Sequence, residues 1–360
     1  MRGWIPGSWR RAVVAGVLCA GSLSGGCAKP PGVIFESAEA GQTWPPAPDR
    51  ARLRYVGQLR GEADLRPGKS GLQRLGESIF GAKETESFIS PMAVCTDGKD
   101  RVFVADSNGQ AIHVLDMATR EYKRWAPTKP GERLTLPVAV AFDPISASGS
   151  GGRLLVADSV AGEIAVFDMQ GNRTGSLGAS VLRRPCGVAV DAAARRVFVA
   201  DSGVHQVVVL SDSGAELARV GRRGSEPGEF NYPTNVAVDP SGRLVVSDSL
   251  NFRVQVFGPR FELVRQIGKK GDMPGYFAQP KGVAVDERGR IYVVDSNFEA
   301  VQVFDENGTL LMSFGHEGHG PGEFWLPAGV FADGRGRIWV ADSYNRRVQV
   351  FESLPEEKTP

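Results

Sequence analysis

The chain has 360 residues, 42% of them hydrophobic and 23% charged, which is enough apolar material for a core and rules out wholesale disorder. Its 42 Lys and Arg balance 41 Asp and Glu, and the net charge of +1 offers no bulk attraction to nucleic acid or to an anionic membrane surface. Four Cys without a C-x-x-C pair encode neither a zinc knuckle nor a redox dithiol, four His leave little material for a His-rich metal centre, and 45 Gly with 23 Pro indicate many turns.

Arg2, Arg10 and Arg11 precede an uncharged run from Ala12 to Gly26 that is rich in Val, Ala and Leu. That run is too short to span a bilayer core of ~30 Å. Residues 1–26 therefore read as a secretory signal peptide. The segment ends in Leu23-Ser24-Gly25-Gly26-Cys27, with Leu23 one place further from the Cys than the family pattern has it. This ending resembles the lipobox of bacterial lipoproteins. The resemblance implies that Cys27 is the mature N-terminus, that it carries the lipid, and that the chain is held to the membrane through it. Ala28 stands where an Asp would signal inner-membrane retention. The implied location is the cell envelope, at the outer membrane and facing the periplasm.

Residues 27–50 contain Pro30, Pro31, Pro45, Pro46 and Pro48 and read as an extended, semi-rigid tether. Leu72, Leu75, Ile79 and Phe80 then fall on one face of a short helix over about 70–82, capped by Ser70 and ended by Gly81. Such a helix is expected to pack on the side or mouth of the main fold.

From residue 51 to 352 one phrase recurs, ending in Asp106-Ser107, Asp158-Ser159, Asp201-Ser202, Asp248-Ser249, Asp295-Ser296 and Asp342-Ser343. The steps between the Asp residues are 52, 43, 47, 47 and 47, a period that marks a propeller or solenoid array. The fifth copy shows four β-rich runs separated by Gly and Asn/Asp turns, which is one propeller blade. The sixth copy stops after its third run, and residues 52–59 resemble the missing fourth one. The expected fold is all-β: a six-bladed propeller of four-stranded blades, its last blade closed by an N-terminal strand so that no sheet edge stays open. Residues 353–360 read as a disordered tail.

The Gly-rich lead-ins at 221–230, 268–277 and 315–324, each followed by Pro233, Pro280 or Pro327, resemble the NHL repeat. With Trp44-Pro45-Pro46 they make the chain similar to six-bladed NHL propeller lipoproteins. Blades 1 to 3 lack that lead-in, and blade 2 carries a Gly/Ser insertion at 146–152. Related propellers hold zinc through His in amidating lyases, or calcium through Glu, Asn and Asp in lactonases. Neither set can be placed here, and His316 and His319 lack zincin spacing. No cofactor is expected.

The six Asp residues are expected to serve the blades, by accepting backbone N–H bonds in the turn that follows, with Ser doing likewise. The Phe of Pro-Gly-Glu-Phe should wedge between blades, and Cys95 and Cys186 should be two buried free thiols. The residues after the six leading Pro are Met92, Val138, Cys186, Thr234, Lys281 and Ala328, a largely apolar rim without acid or His. The functional expectation is a monomeric, non-enzymatic scaffold that binds an envelope protein or glycan and no nucleic acid. The alternative is a hydrolase or lyase using a metal at the channel. The candidate binding residues lie on the Asp-Ser face over blades 4 to 6: Phe252, Phe298 and Tyr344, with Tyr232, Trp325, Arg253, Arg346 and Arg347. If Cys27 carries the anchor, a Cys27→Ser variant will no longer partition with membranes in a fractionation assay.

Overall fold

The computed structural model describes residues 32–35, 41–66, 85–145 and 151–355. The signal peptide, Cys27, the helix over 70–82, most of the blade 2 insertion and the last five residues lie outside the described residues. Residues 353–355, read as the start of a disordered tail, are held in place, with Ser353 ending a strand and the Leu354 N–H donating to the Arg52 carbonyl, which corrects that part of the expectation. Among the described residues no helix is long and apolar enough to cross a membrane.

Six antiparallel sheets form the ring. The innermost strands are Pro91–Thr96, Pro137–Asp143, Pro185–Asp191, Pro233–Val238, Pro280–Val285 and Pro327–Ala332. Each second strand ends in the recurring Asp, as in Leu244–Asp248, and third and outermost strands such as Arg253–Phe257 and Leu263–Ile267 follow. Proline can lead every innermost strand because that position starts the strand, where a missing N–H is tolerated. The middle strands are buried on both faces and read as near-continuous apolar runs, Val-Phe-Val-Ala in blade 3 for example. The outermost strands alternate, as the solvated edge of a blade should.

The N-terminal strand closes blade 6. Leu53–Leu59 pairs antiparallel with Arg347–Ser353, with Tyr55 opposite Phe351 and Leu59 opposite Val348. Leu53, Tyr55 and Leu59 are buried, so every second residue faces the core. The stretch read as a tether is docked in part, which corrects that expectation. Thr43–Trp44 adds a short fifth strand to blade 6. The Trp44 ring packs 5.6 Å from Phe351 and 6.0 Å from Phe314, and Phe35 meets Trp339 edge-on at 6.2 Å. Aromatic surface of this size is too apolar to leave in water when a groove between two blades is at hand.

Phe230, Phe277 and Phe324 are fully buried. Each belongs to a cluster that draws residues from two adjacent blades, so the wedge expected from the sequence is present. Its fit dictates the leading glycine. A Cβ on Gly221, at φ +77°, would lie 2.4 Å from the Phe230 ring, and Gly268 and Gly315 stand in the same relation to Phe277 and Phe324.

A chain beginning at Gly32 is expected to melt with the full chain. A chain beginning at Arg60 exposes the edge of Arg347–Ser353 and should melt at a lower temperature and aggregate. Thermal melting with light scattering checks this, and equal melting of the two would overturn the closure.

Candidate functional site

Turns between second and third strands emerge on the same face as the loops joining blades, here termed the upper face. The recurring Asp builds that face. Asp201 accepts N–H bonds from Arg183 and Arg184, which lead into its own innermost strand, and from Gly203 in the turn. Asp106 and Asp158 repeat the pattern, and all six of these Asp are buried. The serine partner does something else, which corrects the expectation that it also accepts turn N–H groups. Ser296 Oγ donates to the Pro327 carbonyl at 2.6 Å and Ser343 Oγ to the Pro91 carbonyl at 2.5 Å, each on the next blade. Asp holds a blade's own innermost strand, and in blades 4 to 6 Ser latches the neighbour, whereas Ser107 and Ser202 donate to the Ser90 and Arg184 carbonyls of their own blades.

Arg253 and Arg347 do not offer a binding surface, which corrects their placement among the candidate contacts. They are 7% and 1% exposed. Arg347 Nε donates to Asp342 at 2.7 Å, and its other nitrogens donate to the carbonyls of His319, Gly320 and Glu323 and to Gln58 Oε1. Arg253 spends its guanidinium in the same way on Asp248, Glu226, Glu229 and Gln266. A fork of five donors is what a loop full of unpaired carbonyls requires. Burial raises the Asp248 carboxyl above its ordinary value despite these bonds.

The aromatic candidates separate into two kinds. Phe252 is half-buried against the core between blades 4 and 5, with the Lys270 ammonium 5.1 Å from its ring, and Phe298 is half-buried too. Trp325 and Tyr344 are 40% and 59% exposed and lie together on blade 6, ring centroids 5.5 Å apart. His319 adds a third ring, edge-on to Trp325 at 5.1 Å, with Nδ1 2.6 Å from Asn345 Oδ1. Arg346 is exposed in the same turn. Tyr232, 38% exposed, stands apart against His205, whose Nδ1 accepts the Tyr232 N–H at 3.1 Å. Burial, then the nearby Arg223 cation, lowers the His205 pKa against the pull of Asp248. Sequence reasoning missed His205 and His319, because neither spacing nor composition shows which loops meet.

In blade 1 a histidine takes the place that Gln255 and Gln349 hold in blades 4 and 6, where each amide donates to the recurring Asp. His113 is 1% exposed, with Nε2 3.1 Å from Asp106 Oδ2 and Nδ1 2.6 Å from the Tyr122 hydroxyl. Burial pushes the Asp106 carboxyl up, but bonds from His113, Ile89, Gly109 and Ser90 outweigh it and leave the value below the ordinary range. Burial pushes the Tyr122 phenol up. The arrangement resembles an acid–histidine pair, but the imidazole is enclosed, so no substrate reaches it and its role is to brace blade 1.

The axis of the ring holds a cavity of about 210 Å³ lined by all six innermost strands. Its walls are Ala, Val, Phe and Gly apart from Thr96 and Asn235. Above it, Cys186 Sγ lies 3.1 Å from Ser202 Oγ. Both described cysteines are free. Cys95 is buried, with its thiol pKa pushed up by burial, whereas Cys186 is only half-buried at the rim, which corrects the expectation of two buried thiols. Lys281 is half-buried on the rim, and burial lowers its pKa against the pull of Glu299 and Asp295. Burial raises the Glu299 carboxyl, which accepts the Leu326 N–H at 2.6 Å. Among the described residues no group of three or more His, Cys, Asp or Glu is arranged to hold a metal ion.

The NHL repeat matches residues 182–210 and 230–257, and a 6-bladed beta-propeller domain matches 286–353. The protein Brain tumor of Drosophila melanogaster is 31% identical over 168 residues, which cover 44% of this chain and 15% of that protein. Among solved structures, an auxiliary nutrient binding protein from Bacteroides thetaiotaomicron superposes with a TM-score of 0.57 at 10% identity, over 73% of this chain and 69% of that one. Virginiamycin B lyase from Staphylococcus aureus, bound to quinupristin, superposes at 0.53 with 11% identity, over 74% and 95%. At such identities the likeness is one of fold.

Replacing His113 with Gln is expected to change stability by less than about 1 kcal/mol, because the amide can donate to Asp106 as in blades 4 and 6. His113→Leu should cost about 1–3 kcal/mol by leaving Asp106 and Tyr122 short of a partner. Asp106 has a depressed pKa, so its contribution is complete above about pH 4 and fades as pH falls through the folded value. Chemical denaturation at neutral and acid pH checks both.

Proposed function

We propose that this six-bladed propeller with NHL repeats is a non-enzymatic scaffold of the cell envelope, tethered through a lipid on Cys27, whose upper face binds a partner protein at blade 6. The observation that carries this is the exposed cluster of Trp325, Tyr344 and His319 beside Arg346. Apolar rings of this size stay in water only at a cost, and Trp, Tyr and Arg are the residue types that dominate binding hot spots. The loops presenting them are fixed from beneath by Arg347, Gln349 and Asn345, so little conformational freedom is lost when a partner docks. A fold neighbour described as a nutrient binding protein is compatible with a binding role.

The test is a Trp325→Ala/Tyr344→Ala variant in capture from envelope extracts followed by a binding titration. A loss of about 2 kcal/mol or more, roughly thirtyfold, is expected with an unchanged melting temperature. Capture of the same partners at the same affinity would move the binding face elsewhere.

A further inference from the structure

The rim and the walls of the axial channel differ in chemistry. Five of the six rim positions after the leading prolines are uncharged, and below them the walls are apolar except for Thr96 and Asn235. Thr234, Asn235 and Lys281 stand near the upper ends of two neighbouring innermost strands, those of blades 4 and 5, and Asn235 lines the cavity. Thr234 Oγ1 lies 3.3 Å from both the Lys281 carbonyl oxygen and Ser249 Oγ.

Lys281 makes no hydrogen bond or ion pair with the described residues, and neither does the Asn235 side-chain amide. Glu299 and Asp295 act on the ammonium only through space, and the Glu299 carboxylate accepts the Leu326 N–H. A half-buried ammonium without a partner is costly, and an arriving anion relieves that cost. One ammonium and one amide suit a single carboxylate; a phosphate would call for more positive charge or an arginine fork.

Below the rim, the cavity of about 210 Å³ is larger than the engineered apolar cavity of about 150 Å³ that takes up benzene. From Asn235 to Val238 the wall runs three residue steps, roughly 10 Å. The upper neck is tight. A Cβ on Gly187, Gly282 or Gly329 would come within 2.7, 2.6 or 2.5 Å of the next strand's backbone, so the strands stand as close as glycine allows. Strands drawn together this closely favour an unbranched chain over a branched or cyclic one.

We propose that the upper mouth of the channel binds one unbranched amphipathic monocarboxylate, its head on Lys281 and Asn235 and its apolar chain in the channel. The site is separate from the aromatic cluster on blade 6. The Trp325→Ala/Tyr344→Ala variant therefore keeps carboxylate binding, and the two readings can fail independently.

The experiment is calorimetric titration of the full chain with octanoate, with octan-1-ol and butyrate as controls. One saturable site is expected for octanoate. Octan-1-ol, which lacks the charge, and butyrate, which lacks the chain, should each bind roughly tenfold or more weakly. Lys281→Met, folded by circular dichroism, should lose roughly tenfold or more in octanoate affinity. If Lys281→Met does not fold, Asn235→Leu is titrated instead and should also weaken octanoate. The absence of saturable binding, octan-1-ol binding as tightly as octanoate, or an unchanged affinity in the folded variant would overturn the proposal.

Discussion

A buried carboxylate at the end of each second strand is the constraint on which the ring depends. An ionised carboxyl taken out of water is strongly unfavourable unless hydrogen-bond donors surround it. In blades 1 to 3 those donors are backbone N–H groups, from the residues leading into the blade's own innermost strand and from the turn, joined in blade 1 by the His113 ring. The Asp therefore fixes where the innermost strand begins, and with it the rim of the axial channel. The adjacent Ser passes that position to the next blade in the last three copies, through a hydroxyl on the following proline's carbonyl. Proline suits the place twice over, because it starts a strand and leaves its carbonyl free to accept.

Blades 4 to 6 elaborate this plan where they meet the Gly-rich loops. Gln255, Gln302 and Gln349 each bridge from the third strand to that loop, accepting from a glycine N–H and donating to a carbonyl. Arg253 and Arg347 add a fork in blades 4 and 6, while blade 5 has Ala300 there. The loop thus rests on a buried Phe below and a buried guanidinium behind. Its remaining side chains are free to face outward, which is why Trp325 is exposed beside Tyr344 while Phe324, one residue away, is wholly buried.

Closure of the ring uses the same device. Gln58 on the N-terminal strand accepts from Arg347, so the strand that completes blade 6 is tied to the guanidinium that holds the blade 6 loop. Tyr55 and Trp44 then cover Phe351 from two sides. Removal of the first strand would bare an edge and loosen the loop bearing the exposed rings.

The sequence alone determined the six repeats, the four strands of each, the N-terminal strand in blade 6 and the Phe wedge. All of these follow from periodicity, turn residues and the alternation of apolar positions, which are properties of neighbours along the chain. It could also show that six Asp recurring at fixed places serve the blades. Only the tertiary structure decided which side chains of the upper face reach water. Arg346 and Arg347 are adjacent and alike, yet one is exposed and the other is 1% exposed, because Arg346 is the last residue of the turn, at φ +52°, while Arg347 begins the third strand and meets a loop of unpaired carbonyls. Trp325 and Tyr344 came together, and Phe252 and Phe298 did not join them, because that depends on how loops 19 residues apart in sequence pack around a ring. The pairing of Lys281 with an apolar channel was likewise hidden. A rim residue's neighbours come from adjacent blades, almost fifty residues away along the chain, and no local pattern encodes which of them leaves a charge without a partner.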